Sequence, residues 1–216
     1  MLVDSRRGLR VSVVLLAGAV VVGVLLALPP TRPAVQAVDD VVWEWVGSAR
    51  SGPATGVSVA LSWLGSTWVN WPLRTAAMLL LARRRHWARL LAFTLAVVTS
   101  EAAIGPVKAA FDRPRPPGAL IETSAAAFPS GHAIAGAVTA VGLVLVLAPP
   151  GRARLRWEVW AVVFSAVMAL SRVYLRAHWL SDTVAGALLG AGLALGWPAL
   201  VTAARDRRAR AARPSP

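Results

Sequence analysis

The chain has 216 residues, no cysteine, 56% hydrophobic residues and a mean hydropathy of +0.59. That excludes a disulfide framework or a thiolate metal site, and it is too apolar for an ordinary soluble domain. The formal net charge of +13 would by itself suit nucleic acid, but the placement of the charges points to a membrane instead.

Apolar runs of roughly 18 or more residues are candidates to cross a bilayer. In chain order they predict spans at about 11–28, 67–81, 88–111, 131–148, 157–174 and 180–203. The expectation is an all-α, integral membrane, six-transmembrane-helix bundle forming a single domain over residues 1–216. The first run follows an arginine-rich start and precedes "AVQA", as a cleaved signal peptide would. It is longer than the roughly 7–15 residues of a signal core, so a retained span is expected. Between the first two spans, residues 37–63 carry Asp39, Asp40, Glu44, Trp43 and Trp45. This stretch reads as amphipathic helices lying on the membrane surface.

Arginines set the orientation. Arg6, Arg7 and Arg10 precede the first span, and Arg83, Arg84, Arg85 and Arg89 join the second to the third. Arg152, Arg154 and Arg156 join the fourth to the fifth, and Arg205, Arg207, Arg208, Arg210 and Arg213 lie in a basic tail, 204–216. With six spans, all of these fall on one side, which should be cytoplasmic with both termini. Trp68, Trp71 and Trp179 then lie at outer ends of spans, and Trp87, Trp157, Trp160 and Trp197 near inner ends, as an aromatic belt. The basic runs are read as topology determinants, so no nucleic-acid partner is expected.

The remaining polar residues form three clusters at the predicted outer face. "KAAFDRPRP" (Lys108–Pro116) closes the third span, "PSGH" (Pro129–His132) opens the fourth, and "SRVYLRAHWLSD" (Ser171–Asp182) bridges the fifth and sixth. They hold the only lysine and two of the three histidines. Singly, each has a plain explanation: Lys108, Arg113 and Arg115 snorkel at a helix end, His132 is a satisfied buried histidine, and His178 with Asp182 is a structural i,i+4 pair. Ionisable residues at membrane depth are costly, and convergence of all three clusters on one face favours function.

Their chemistry suits phosphoryl transfer. Lys108, Arg115 and Arg172 supply fixed positive charge, with the arginine fork matched to phosphate oxygens. The Pro-Ser-Gly turn places amides at a helix N-terminus, Ser130 adds a hydroxyl, and Gly131 lets backbone come close. His178, four residues before Asp182, is the candidate nucleophile, with Asp182 fixing its tautomer. His132 is then placed to protonate the leaving oxygen. No carboxylate cluster suggests a metal site. Glu101 lies seven residues before Lys108 and reads as a packing or hydrogen-bonding residue, with Arg74 as its candidate partner. Gly186 and Gly190 form a small-xxx-small pattern suited to packing within the bundle or between subunits, and oligomeric state is not readable.

The motifs Lys108…Arg115-Pro116, Pro129-Ser130-Gly131-His132 and Ser171-Arg172…His178…Asp182 resemble those of the type 2 phosphatidic acid phosphatase superfamily. All three stand complete and in order. The resemblance implies a metal-independent, cofactor-free phosphatase with a phosphohistidine intermediate on His178. Asp182 would be its orienting partner and His132 the general acid that later activates water. Lys108, Arg115, Ser130, Gly131 and Arg172 would bind phosphate. It further implies hydrolysis of a lipid phosphate or diphosphate at the outer face of the cell membrane. Undecaprenyl diphosphate is the first choice, with phosphatidic acid and phosphatidylglycerol phosphate beside it. Phosphotransfer through the same phosphoenzyme, and a non-catalytic lipid transporter or scaffold, are the rivals. The soluble haloperoxidases share the constellation, but six spans argue against that role. Arg176 departs from the small residue many relatives carry there, and is expected as an extra cation beside the nucleophile that favours a diphosphate.

Overall fold

The computed structural model describes residues 4–123 and 126–212. The chain folds into α1 (Ser5–Ala27), α2 (Arg32–Ser48), α3 (Gly52–Leu64), α4 (Thr67–Arg83), α5 (Trp87–Phe111), α6 (Gly131–Leu147), α7 (Arg152–Tyr174) and α8 (Leu180–Ala211). Four of these, α1, α5, α7 and α8, are long and apolar enough to cross a membrane. The predicted second and fourth spans are α4 and α6, of 17 residues each. At 1.5 Å per residue each reaches about 25 Å, somewhat short of a hydrocarbon core of about 30 Å. α6 is hemmed in by the Pro-Ser-Gly turn before it and Pro149-Pro150 after it. α4 carries Asn70, Pro72 and Arg74 along its length.

The segment expected at the membrane surface is helical, as α2 and α3. The basic tail is helical too: α8 runs unbroken through Arg205–Arg210 to Ala211. Arg213 lies outside the described residues.

α6 is the centre of the bundle. Most of its side chains are buried, and it packs on α8, α7 and α5. The contact with α8 is backbone to backbone. A Cβ on Gly186 would stand 2.7 Å from the Ser130 carbonyl oxygen, and one on Gly190 2.5 Å from that of Ile134. The Gly186…Gly190 pair therefore serves packing within the bundle. It also fixes the start of α6 against the first turns of α8. On the other side of α8 lies α1, tied by the Ser12 hydroxyl donating to the Gly192 carbonyl at 2.8 Å. The outward face of α1 leaves Val13, Val14, Val20 and Val21 exposed, a surface that suits hydrocarbon rather than water.

A buried polar knot joins α4, α5 and α6. Arg74 is fully buried and donates to Glu101 at 2.6 Å, to Thr139 Oγ1 at 2.8 Å and to the Ala135 carbonyl at 3.3 Å. Thr139 in turn donates to Asn70 at 2.9 Å. The expected Arg74–Glu101 pair is thus present. Glu101 keeps a third of its side chain exposed.

Candidate active site

Three segments meet at one end of the bundle: the described residues 112–123 and 126–130, the first turn of α6, and the 175–179 turn between α7 and α8. Asp112, in the left-handed conformation (φ 39°), ends α5 and sends the chain into the loop. The loop is pinned by Ala127 N–H to the Arg113 carbonyl at 2.8 Å, and by Leu120 N–H to the Leu175 carbonyl at 2.9 Å. The Phe128–Pro129 peptide bond is cis. The 175–179 turn closes on the Arg172 carbonyl, which accepts from Ala177 N–H at 3.0 Å and His178 N–H at 3.3 Å.

His178 is buried, 3% exposed, and stands just before α8 rather than on its first turn. Its Nδ1 faces the Ala127 carbonyl at 2.8 Å. The Asp182 carboxylate is 3.6 Å from that nitrogen, too far for a hydrogen bond but near enough to act through its charge. The other nitrogen, Nε2, meets Arg115 Nη1 at 3.3 Å, and the same guanidinium nitrogen donates to the Ala177 carbonyl at 2.6 Å. A proton on Nδ1, held by the carbonyl, leaves the Nε2 lone pair toward the cations. Burial pushes the His178 pKa down to about 4, opposed by Asp182 and assisted by Arg115 and Arg172, so the ring is neutral at physiological pH.

Of the other motif residues, Arg115, Arg172 and His132 act electrostatically on the His178 ring. Lys108, Arg115 and Arg172 act electrostatically on one another in adjacent pairs, Lys108 with Arg115 and Arg115 with Arg172. Lys108 Nζ donates to the Ala126 carbonyl, and Arg172 Nη1 to Ser62 Oγ on α3. Arg172 Nε is buried without a partner among the described residues. Ser130 is fully buried and caps α6, its Oγ accepting from Ala133 N–H at 3.4 Å, while its own N–H donates to the Asp182 carbonyl at 3.1 Å. Gly131 and His132 follow as the first helical residues, with amides facing outward along the axis. The His132 ring is coupled to Arg172, His178 and Arg115 and lies against the Ser62 backbone. Gly65 makes room for it: a Cβ there would fall 2.8 Å from His132 Cδ2.

Arg176, expected beside the nucleophile, sits in the left-handed region (φ 52°) and turns to α2. Its guanidinium stacks 3.8 Å from the Trp43 ring and donates to the Trp43 carbonyl at 3.3 Å. Asp39, in the segment read as amphipathic, is 2% exposed and bonded to Arg113 and Ser181. Its burial left no mark in the sequence, because its partners are 74 and 142 positions away.

A cavity of about 780 Å³ opens at the far end of the bundle, beside Arg7 and Arg154, and is walled mainly by apolar residues of α1, α6, α7 and α8. It contains none of the motif residues, and its size says nothing about where phosphate chemistry occurs.

This constellation of two histidines, an aspartate and three cations at a helix start defines a class of protein, and the comparisons agree with it. The model of the PAP2 superfamily matches residues 87–206. The chain belongs to the PAP2 superfamily and is a phosphatase of that type. Among solved structures, it resembles a transmembrane PAP2-type phosphatidylglycerolphosphate phosphatase from Bacillus subtilis, with 24% identity and a TM-score of 0.76 over 91% of this chain and 96% of that one. It also resembles LpxE from Aquifex aeolicus, with 21% identity and a TM-score of 0.57 over 70% of this chain and 89% of that one. No curated protein matches the chain.

Proposed function

We propose that the protein hydrolyses a lipid phosphate or diphosphate at the outer face of the cell membrane, without a metal, through a phosphohistidine on His178. In this reading residues 1–216 are one domain with six spans, α4 and α6 crossing as short spans, α6 buried among its neighbours and α4 at the edge of the bundle. Both termini are cytoplasmic. Undecaprenyl diphosphate is the first-choice substrate, with phosphatidic acid and phosphatidylglycerol phosphate as alternatives of the same class.

The observation that carries the reading is the neutral His178 Nε2 beside Arg115, whose charge acts on both Arg172 and Lys108. Phosphate binds between Lys108, Arg115, Arg172, the Ser130 hydroxyl and the amides of Gly131 and His132. The Nε2 lone pair attacks phosphorus and the bond to the lipid oxygen breaks, its electron pair leaving with that oxygen. His132 donates the proton that oxygen needs. The imidazolium formed on His178 is stabilised by the Ala127 carbonyl and the Asp182 charge. Water then attacks phosphorus, gives its proton to His132, and breaks the P–N bond to restore Nε2. The cations and amides hold the charge that spreads over the equatorial oxygens in both steps.

Support for a lipid substrate comes from the two structural relatives, one of which is named for phosphatidylglycerolphosphate, and from the site's place at the end of membrane-length helices. The test is phosphate release by purified protein in detergent from a panel of lipid phosphates and diphosphates, with and without a chelator. Release that survives the chelator, stops with vanadate and disappears in His178→Ala is expected. Strict dependence on a divalent metal, or no turnover of any lipid phosphate, contradicts the reading.

A further inference from the structure

Asp39 belongs to α2, far from the motif residues in sequence, yet it reaches the back of the site. Its Oδ1 accepts the Ser181 N–H at 2.9 Å, and its Oδ2 accepts the Ser181 hydroxyl at 2.6 Å and Arg113 Nη2 at 2.7 Å. Ser181 is in the first turn of α8, whose amides have no partner within the helix. The cap position is Trp179, which has no side-chain oxygen. The missing acceptors are supplied by Asp182 Oδ2 for the Trp179 N–H, at 2.9 Å, and by Asp39 from α2 for the Ser181 N–H.

Arg113 continues the chain of contacts. Its Nη2 is held by Asp39 and, one helical turn earlier, by Gln36 Oε1 at 2.7 Å. Its Nη1 donates to Asp182 Oδ1 at 2.6 Å and to Ser181 Oγ at 2.7 Å. Asp39, Arg113, Ser181 and Asp182 are all at most 9% exposed. One cation thus lies between two carboxylates, leaving a net negative charge behind His178, on the side away from Nε2. Buried ion pairs add little net stability, because desolvation offsets their attraction. What such a cluster does supply is a fixed geometry.

We propose that Asp39 is a positioning residue, which from α2 fixes Arg113 and the first turn of α8 and so sets the Asp182 carboxylate behind His178. The proposal rests on the reading of His178 as the attacking residue. α2 is then part of the catalytic apparatus although it carries none of the three motifs. Losing the Asp39 charge lets Arg113 draw on Asp182 alone, which withdraws negative potential from His178 as it becomes cationic.

Asp39→Asn keeps the size of the side chain and removes its charge. In wild-type background the expected result is a fall in kcat on the order of 100-fold, the scale of a misplaced reacting group. KM stays within about threefold, because the phosphate-binding cations are untouched. Glu44→Gln, an exposed change on the same helix, leaves both alone. A merely structural Asp39 would lower the folded fraction while leaving kcat per folded molecule unchanged, and that result overturns the proposal. Hydrogen exchange reads the same device without substrate. Asp39→Asn should speed exchange at Ser181 and, through Asp182, at Trp179. Faster exchange at Ser181 with none at Trp179 means that the latch does not reach Asp182, and the proposal fails. A wild type that turns over no lipid phosphate would sink the functional reading, while the exchange measurement still decides the latch.

Discussion

At the scale of single residues, the site depends on a histidine kept neutral. Burial lowers the His178 pKa from 6.5 to about 4, against the pull of Asp182. Above pH 6.5 the folded and unfolded chains both carry a neutral ring, and this residue adds no pH dependence. Between 6.5 and 4 only the unfolded chain takes up the proton, so stability falls as pH falls through that window. The melting temperature in detergent should therefore drop on acidification across it, and more steeply in wild type than in His178→Asn. Parallel curves for the two proteins would contradict the assignment. Arg176 shows how far a neighbour in sequence can lie from the chemistry: two positions from His178, its side chain belongs to Trp43 and α2. Sequence placed the charge correctly along the chain, but direction depends on a left-handed φ of 52° that no spacing rule reveals.

At the scale of elements, the α6–α8 contact holds the phosphate-binding turn in place. Gly190 meets the Ile134 carbonyl and Gly186 the Ser130 carbonyl so closely that a methyl group must push the helices apart. Gly190→Ala should destabilise by about 1–3 kcal/mol, the usual cost of overpacking. It should also raise KM, because Ser130 and the first amides of α6 move with that helix. A lower melting temperature with unchanged KM would mean that the turn is held by its own loop contacts instead. The motif residues were legible because each set is local: "PSGH" is one turn, and Ser171–Asp182 is one helix–turn–helix. The small-residue pattern in α8 was legible as a packing surface, while its partner was not. Asp39 and the Nδ1 partner of His178 were illegible for physical reasons. One is a carboxylate on an amphipathic helix, which looks like any solvated acid. The other is the backbone carbonyl of Ala127, which has no residue-type signature.

At the scale of the whole molecule, hydropathy identified every membrane-length helix among the described residues, and the runs at 67–81 and 131–148 became α4 and α6, each just short of that length at 17 residues. The two are linked through Arg74, Asn70, Glu101 and Thr139, α6 lying mostly buried at the centre and α4 presenting one face to it while Trp68, Leu73 and Leu79 stay exposed. The fold thereby brings residues from α5, α6, α7, α8 and from α2 and α3 to one end of the bundle. In the proposed reaction they all serve one atom, His178 Nε2. The most direct measurement is acid-quenched labelling with a substrate carrying ³²P in the cleaved phosphate. A phosphohistidine at position 178 gives a protein-bound label that is stable to alkali and lost in acid, as a P–N bond is, formed in the presence of chelator and absent from His178→Ala. A label that persists in His178→Ala, or one that forms only with a divalent metal, would contradict it.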